Sequence, residues 1–277
     1  MWPHCGHGTT PEDPIGCRGI HVPSHTECLT HLTDADRDAY LAGLAPGTSI
    51  DHRGTSLDEP LLDALLNALH DPATGHSRFG EARFDSVIFE GDAWFDSAIF
   101  EGRARFDSAT FSGRAWFESA AFEGGAWFNF AAFEGDASFR SATFESAIAW
   151  FESATFQRDA IFESVTFEAE TRFESATVEG DIRFGRATFE RSAVLGPLAC
   201  AGWVWLSGAV FSGPITLSFA ARHLVCWRTR WSSTAALHLR YATVHFAYAV
   251  FEYPLTMAAE GRPVHVRRRT AHARTSF

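Results

Sequence analysis

Lysine is missing from the 277 residues, and all 23 basic side chains are Arg, which we read as base composition rather than function. Tyr (four) and Met (two) are scarce, while Phe reaches 26 and Trp nine, so one aromatic has been chosen repeatedly for one kind of site. Cys is also scarce: five residues, unevenly placed, are too few for a disulfide framework in a chain of this length. The start, Met1-Trp2-Pro3-His4-Cys5, lacks the basic and apolar regions of a secretory signal, so a reducing, cytoplasmic compartment is expected. There is no Gly-rich phosphate loop, no nucleophile elbow and no Ser/His/Asp grouping, so no enzyme and no small-molecule substrate are expected.

Charge is missing altogether from Ser192 to Ala221, a run of thirty residues. A membrane-spanning helix needs about 20 predominantly apolar residues. This run is broken by Gly196, Pro197, Gly202, Gly208, Gly213 and Pro214, and Leu206, Phe211 and Leu217 keep a repeat spacing, so it reads as buried core rather than membrane. The net charge of −11 is uneven: residues 222–277 carry nine Arg against Glu252 and Glu260, a balance of +7, which leaves −18 for residues 1–221.

The dominant pattern is internal repetition, which is sought first because it decides the fold. Phe recurs at 79, 84, 89, 95, 100, 106 and onward to 189, in steps of 5 and 6 that alternate from Phe84, with Val178 filling one vacancy. One unit reads Phe95-Asp96-Ser97-Ala98-Ile99-Phe100-Glu101-Gly102-Arg103-Ala104-Arg105, eleven residues. Neither the helical period nor long alternation fits. Ala-x-Phe does: a very short strand with Ala and Phe on one side, then a polar corner. Phe rings are then expected to stack on the next coil about 4.8 Å away, the spacing of hydrogen-bonded strands.

These residues resemble the pentapeptide-repeat family, whose unit places a small residue two before a central Leu or Phe. The resemblance is strong over 79–190 and degraded over 191–257, as in Leu206-Ser207-Gly208-Ala209-Val210-Phe211. It implies an all-β solenoid, a right-handed quadrilateral β-helix with four short faces per coil. The added residue at every second unit predicts about 22 residues per coil and looser corners at two of four edges. A seven-residue step from Phe144 to Phe151 predicts a local bulge.

Solenoids need caps. Residues 1–78 are expected to form a small, mainly helical Cys/His domain, 79–257 the β-helix, and 258–277 a basic, disordered tail; a nucleic-acid arm is the other reading of that tail. Thr33 is placed to cap a helix over 34–44, and Ser56 with Glu59 forms a capping box for a second over 57–70, with Leu61, Leu62, Leu65, Leu66 and Leu69 on one face. Cys5, Cys17, Cys28 and His31 make a Cys₃His set suited to structural zinc, with His7, His21 and His25 as substitutes. The spacing lacks tight CxxC pairs, so unliganded thiols in a capping domain stay open.

A 22-residue coil also sorts outward residues into columns. Trp94, Trp116, Ser138, Ile161 and Arg183 fall on one face, and Arg83, Arg105, Trp127, Trp150 and Arg172 on the opposite one. Mutual stacking and cation–π contact is one reading, a strip for a protein partner the other. Glu101, Glu123, Glu145, Glu168 and Glu190 form an acidic column, and Asp85, Asp107, Asn129, Glu152 and Glu174 another. These are either solvated or kept for their field. The resemblance offers a second function through them, because some pentapeptide-repeat proteins present carboxylates to DNA gyrase in place of DNA and protect it from inhibitors. The chain departs from those in its Cys/His domain, its six-residue steps and its lack of an obvious dimerisation helix. A non-enzymatic protein-binding scaffold is the first expectation, a gyrase-directed DNA mimic the second; the acidic solenoid is not expected to bind nucleic acid itself.

Overall fold

Each Ala-x-Phe triplet forms a strand of two or three residues with Ala and Phe buried and the middle residue turned outward, as at Ala104–Arg105 and Ala115–Trp116. The computed structural model describes residues 2–145, 148–191, 193–259 and 265–267. Every such strand pairs in parallel with its equivalent one coil away. Ala82, Ala104 and Ala126 align on a first face, Phe89, Phe111 and Phe133 on a second, Ala93, Ala115 and Ala137 on a third, and Phe100, Phe122 and Phe144 on a fourth. The result is a parallel β-solenoid of about 8 turns with two short helices at its N-terminal end.

Phe rings from successive coils stack with centroids 4.6 to 5.2 Å apart, for example Phe106, Phe128 and Phe151 at 4.8 and 4.9 Å. Rings from adjacent faces meet edge to face, Phe106 and Phe117 at 5.5 Å and 84°. Both arrangements suit the aromatic quadrupole, and each buried ring contributes about 1.5–3 kcal/mol of transfer free energy. The position two before each Phe is Ala in most coils, with Val87, Val165, Thr171 and Ile182 buried there in others.

Two kinds of corner join the faces. The five-residue step closes with a backbone bond from residue four to residue one, Ala98 N–H to the Phe95 carbonyl at 3.1 Å. Its third residue has positive φ, 56° to 60° at Ser97, Ser108, Ser119, Ser141, Ser153, Ser164 and Ser175. Such a turn favours a small residue, so what these Ser share is conformation. The six-residue step carries Gly where coils touch: a Cβ on Gly124 would lie 2.0 Å from the Gly102 carbonyl oxygen.

Coil length is not constant. Phe84 to Phe106 to Phe128 are 22 apart, but Phe211, Trp231 and Phe251 stack at intervals of 20. The change falls at register shifts between Leu195 and Leu198 and between Cys200 and Trp203. Trp231 fits the Phe column because Thr229 replaces Ala beneath it and accepts the indole N–H at 2.9 Å. One extra residue is also absorbed between the pairs Phe122/Phe144 and Ala126/Ala149, a stretch that includes 146–147, outside the described residues.

The uncharged run forms strands at Ala193–Trp205, Val210–Phe211 and Ile215–Val225. Among the described residues no helix is long and apolar enough to cross a membrane. Helix α1 spans Asp34–Ala42 and is capped by Thr33, whose hydroxyl accepts from the Asp36 N–H. Helix α2 spans Glu59–Ala68, shorter than expected, and its cap is Asp58 rather than Ser56. The reason is that Ser56–Asp58 is a strand paired with Ile88–Glu90, which leaves Ser56 no cap to make. Parallel pairing in fact reaches back to Ile50, opposite Ala82, and His52 lies under Phe84. The Leu61, Leu62, Leu65, Leu66 and Leu69 side chains are buried in the core cluster. At the other end, Ala258 and Ala259 complete a strand and His265–Arg267 pairs with Thr243–His245; the rest of the expected tail lies outside the described residues.

Candidate metal centre and outward surfaces

A hairpin brings Cys5 and Cys17 together: Cys5 N–H donates to the Gly19 carbonyl at 2.8 Å and Gly6 N–H to the Cys17 carbonyl at 2.9 Å. Cys28 opens a single 3₁₀ turn, Leu29–His31, which returns His31 to the same point. Cys28 approaches only because residue 19 is Gly, since a Cβ there would lie 2.6 Å from Cys28 Cβ and 2.8 Å from its Sγ. The four candidate ligand atoms lie within 4.8 Å of one another.

Their spacing is informative. Cys17 and Cys28 Sγ atoms are 3.7 Å apart, Cys5 Sγ and His31 Nδ1 3.5 Å, and Cys28 Sγ and His31 Nδ1 3.3 Å. A tetrahedral ion with metal–sulfur bonds of about 2.3 Å and metal–nitrogen bonds of about 2.0 Å has edges of roughly 3.5–3.8 Å. Gly19 N–H also points at Cys17 Sγ, at 3.4 Å, a contact that would stabilise a thiolate. Burial, with Cys17 adding to it, pushes the Cys28 thiol up to about 12. Burial, then the nearby His7, lowers His31 below its ordinary value and keeps its ring neutral for ligation. His7 stacks on His31 at 4.1 Å rather than joining the four. This set can therefore hold a metal ion. Cys17 and His31 also line a groove of about 1000 Å³ beside Trp2, Ile15, Ile88 and Glu90.

The expected columns are aligned by the strand register. Trp94, Trp116, Ser138, Ile161 and Arg183 succeed one another on the third face. Trp94 and Trp116 stack at 5.4 Å and 6°, Trp94 remains 39% exposed, and its indole N–H reaches Glu59 at 3.2 Å. On the first face Arg83, Arg105, Trp127, Trp150 and Arg172 align. There the side chains turn to local contacts: Arg172 sits 5.3 Å over Trp150, whose indole N–H has no hydrogen-bond partner among the described residues, and the Trp127 ring lies back over Gly125.

The two acidic columns differ. Arg105 bridges Asp85 at 3.0 Å and Asp107 at 3.3 Å, and Arg172 binds Glu170 at 2.6 Å with Glu152 and Glu174 at 3.8 and 3.9 Å. Asp107 and Asn129 also accept the backbone N–H one coil on, as do Asp92, Asp96, Asp136, Asp159 and Asp181 at 2.8 to 3.3 Å. Much of the acidity is thus a ladder that satisfies corner N–H groups. In the other column Glu101 is bound by Arg78, whereas Glu123, Glu145, Glu168 and Glu190 have no ion pair among the described residues.

The sequence reading missed one set of outward residues. Trp203, Trp205, His223 and His245 lie on the third face of the last coils, flanked by exposed Trp227, Tyr241 and Tyr248. A column read on the 20-residue spacing would have found them.

The family model for pentapeptide repeats (9 copies) matches residues 95–143, 117–166 and 151–196. No curated protein gave a match. Residues 95–196 of the solenoid are thus built of pentapeptide repeats.

Proposed function

We propose that this pentapeptide-repeat solenoid is a non-enzymatic protein-binding module, held closed at its first coil by a structural zinc ion on Cys5, Cys17, Cys28 and His31. The Trp94–Trp116 stack carries the binding reading. It is an ordered apolar surface on a rigid face, with one ring substantially open, and Trp is the residue that protein interfaces most prefer. The Trp127 and Trp150 side chains, spent on local contacts, are assigned to stability instead.

Zinc fits the donor set, since three Cys sulfurs and one imidazole within 4.8 Å of one another can make a closed site with no position for substrate. Bound there, the ion would tie the hairpin to the turn at Cys28, and the cap to the coil beneath. Affinity capture with the full chain and with Trp94→Ala/Trp116→Ala tests the reading. A partner held by the first and reduced at least about tenfold on the second supports it; capture unchanged by the substitutions refutes it.

The free column Glu123, Glu145, Glu168 and Glu190 favours a second reading, mimicry of DNA toward DNA gyrase. It rests on one ladder, the other being neutralised by Arg105 and Arg172. Protection of gyrase supercoiling from an inhibitor, abolished by charge reversal along Glu123 to Glu190, would support this reading; no effect at micromolar protein would end it.

A further inference from the structure

Between Glu190 and Glu252 the sequence contains no Asp or Glu, yet it holds Arg191, Arg222, Arg228, Arg230, Arg240 and three His. The solenoid therefore reverses its electrostatic character in its last coils. Arg230 pairs with Glu252 at 3.1 Å, but among the described residues Arg222 and Arg228 have no carboxylate within ion-pair distance.

The same coils concentrate open aromatic rings on and beside the third face. Trp203 stacks on Trp205 at 5.0 Å and on His223 at 4.2 Å, and His223 on His245 at 6.1 Å. Arg228 lies 4.4 Å over Trp227. Tyr241 and Tyr248 are each 61% exposed, Trp227 42% and Trp203 38%. Several of these side chains are held at a conformational cost: Tyr241, Arg228 and Tyr248 have φ of 62°, 55° and 58°, and Gly208 occupies the position of Arg228 and Tyr248 in the preceding coil. A bulky residue in the left-handed region is costly.

We infer that this patch binds single-stranded nucleic acid, with bases stacking on Trp227, Tyr241 and Tyr248 beside the Trp203–His223 stack and phosphates meeting Arg222 and Arg228. Open aromatic faces interleaved with Arg suit unstacked bases, whereas a duplex offers only groove edges and phosphates. Three coils span roughly four nucleotides, the low end of known site sizes. The acidic coils further back confine a longer strand to this end. The inference stands apart from the protein-binding reading, which uses Trp94 and Trp116.

Fluorescence anisotropy with a labelled twelve-nucleotide oligo(dT) tests it on the full chain. Saturable micromolar binding is expected, weakening about sevenfold between 50 and 200 mM salt if the two Arg neutralise about two phosphates. Trp227→Ala and Tyr248→Ala should each weaken it about tenfold with circular dichroism unchanged, and Trp94→Ala should not. The inference is overturned by absent binding, by duplex DNA or poly-glutamate binding as tightly, or by indifference to the aromatic substitutions. Salt-dependent self-association in sedimentation, competed by the oligonucleotide, would overturn it in favour of a second copy as the occupant.

Discussion

Phe128 and Phe130 stand two residues apart and have opposite fates. Phe128 is buried between Phe106 and Phe151, while Phe130 occupies the turn position that Ser holds in other coils, 66% exposed with φ of 58°. Phe128→Ala should cost about 3–5 kcal/mol, because the ladder cannot collapse into the cavity. Phe130→Gly should stabilise by up to about 1 kcal/mol through relief of the left-handed conformation. Denaturant midpoints of the two variants check both signs. The buried Phe were legible because Ala two residues earlier marks them; Phe130 lacks that Ala and fell outside the period. Ion pairing was less legible. That Arg105 and Arg172 pair with one acidic column while Arg78 reaches Glu101 alone of the other depends on side-chain paths across coils, which a count of charges does not contain.

Among the elements, the first coil and its cap carry the most instructive departures. His52 takes a core position, fully buried under Phe84, with Tyr40 Oη 3.3 Å from its Nε2. Burial lowers it from 6.5 to about 4. The unfolded chain then binds the extra proton between these values, so this contribution is fully present above pH 6.5 and is lost as pH falls to about 4, roughly 3 kcal/mol in all. Equilibrium unfolding across that range should show His52→Leu losing less stability than the parent chain; equal losses would refute the assignment. The same residue explains why the first coil was hidden from a Phe-based reading: His52 and Leu57 stand where Phe would, and a lone Leu57 suits strand and helix alike. In the hairpin, Gly19→Ala should drive Cys28 away and lower metal affinity at least about tenfold in a chelator competition.

At the scale of the whole molecule, tasks are divided along the axis. Stacked Phe and corner Asp build a rod that needs no ligand; a Cys₃His cap closes one end; the outer faces differ in charge, acidic over the central coils and basic with open aromatics over the last. The repeat was readable because it occurs many times, whereas the cap occurs once and its four candidate ligands converge only through the hairpin and the 3₁₀ turn. Metal is what would hold this cap, since otherwise only weak hydrogen bonds through sulfur link Cys5, Cys17, Cys28 and His31. Elemental analysis of protein purified without added metal tests this most directly, with Cys28→Ser as the control. The account predicts about one zinc per chain in the parent and loss in the variant; below about 0.2 zinc per chain in the parent would contradict it.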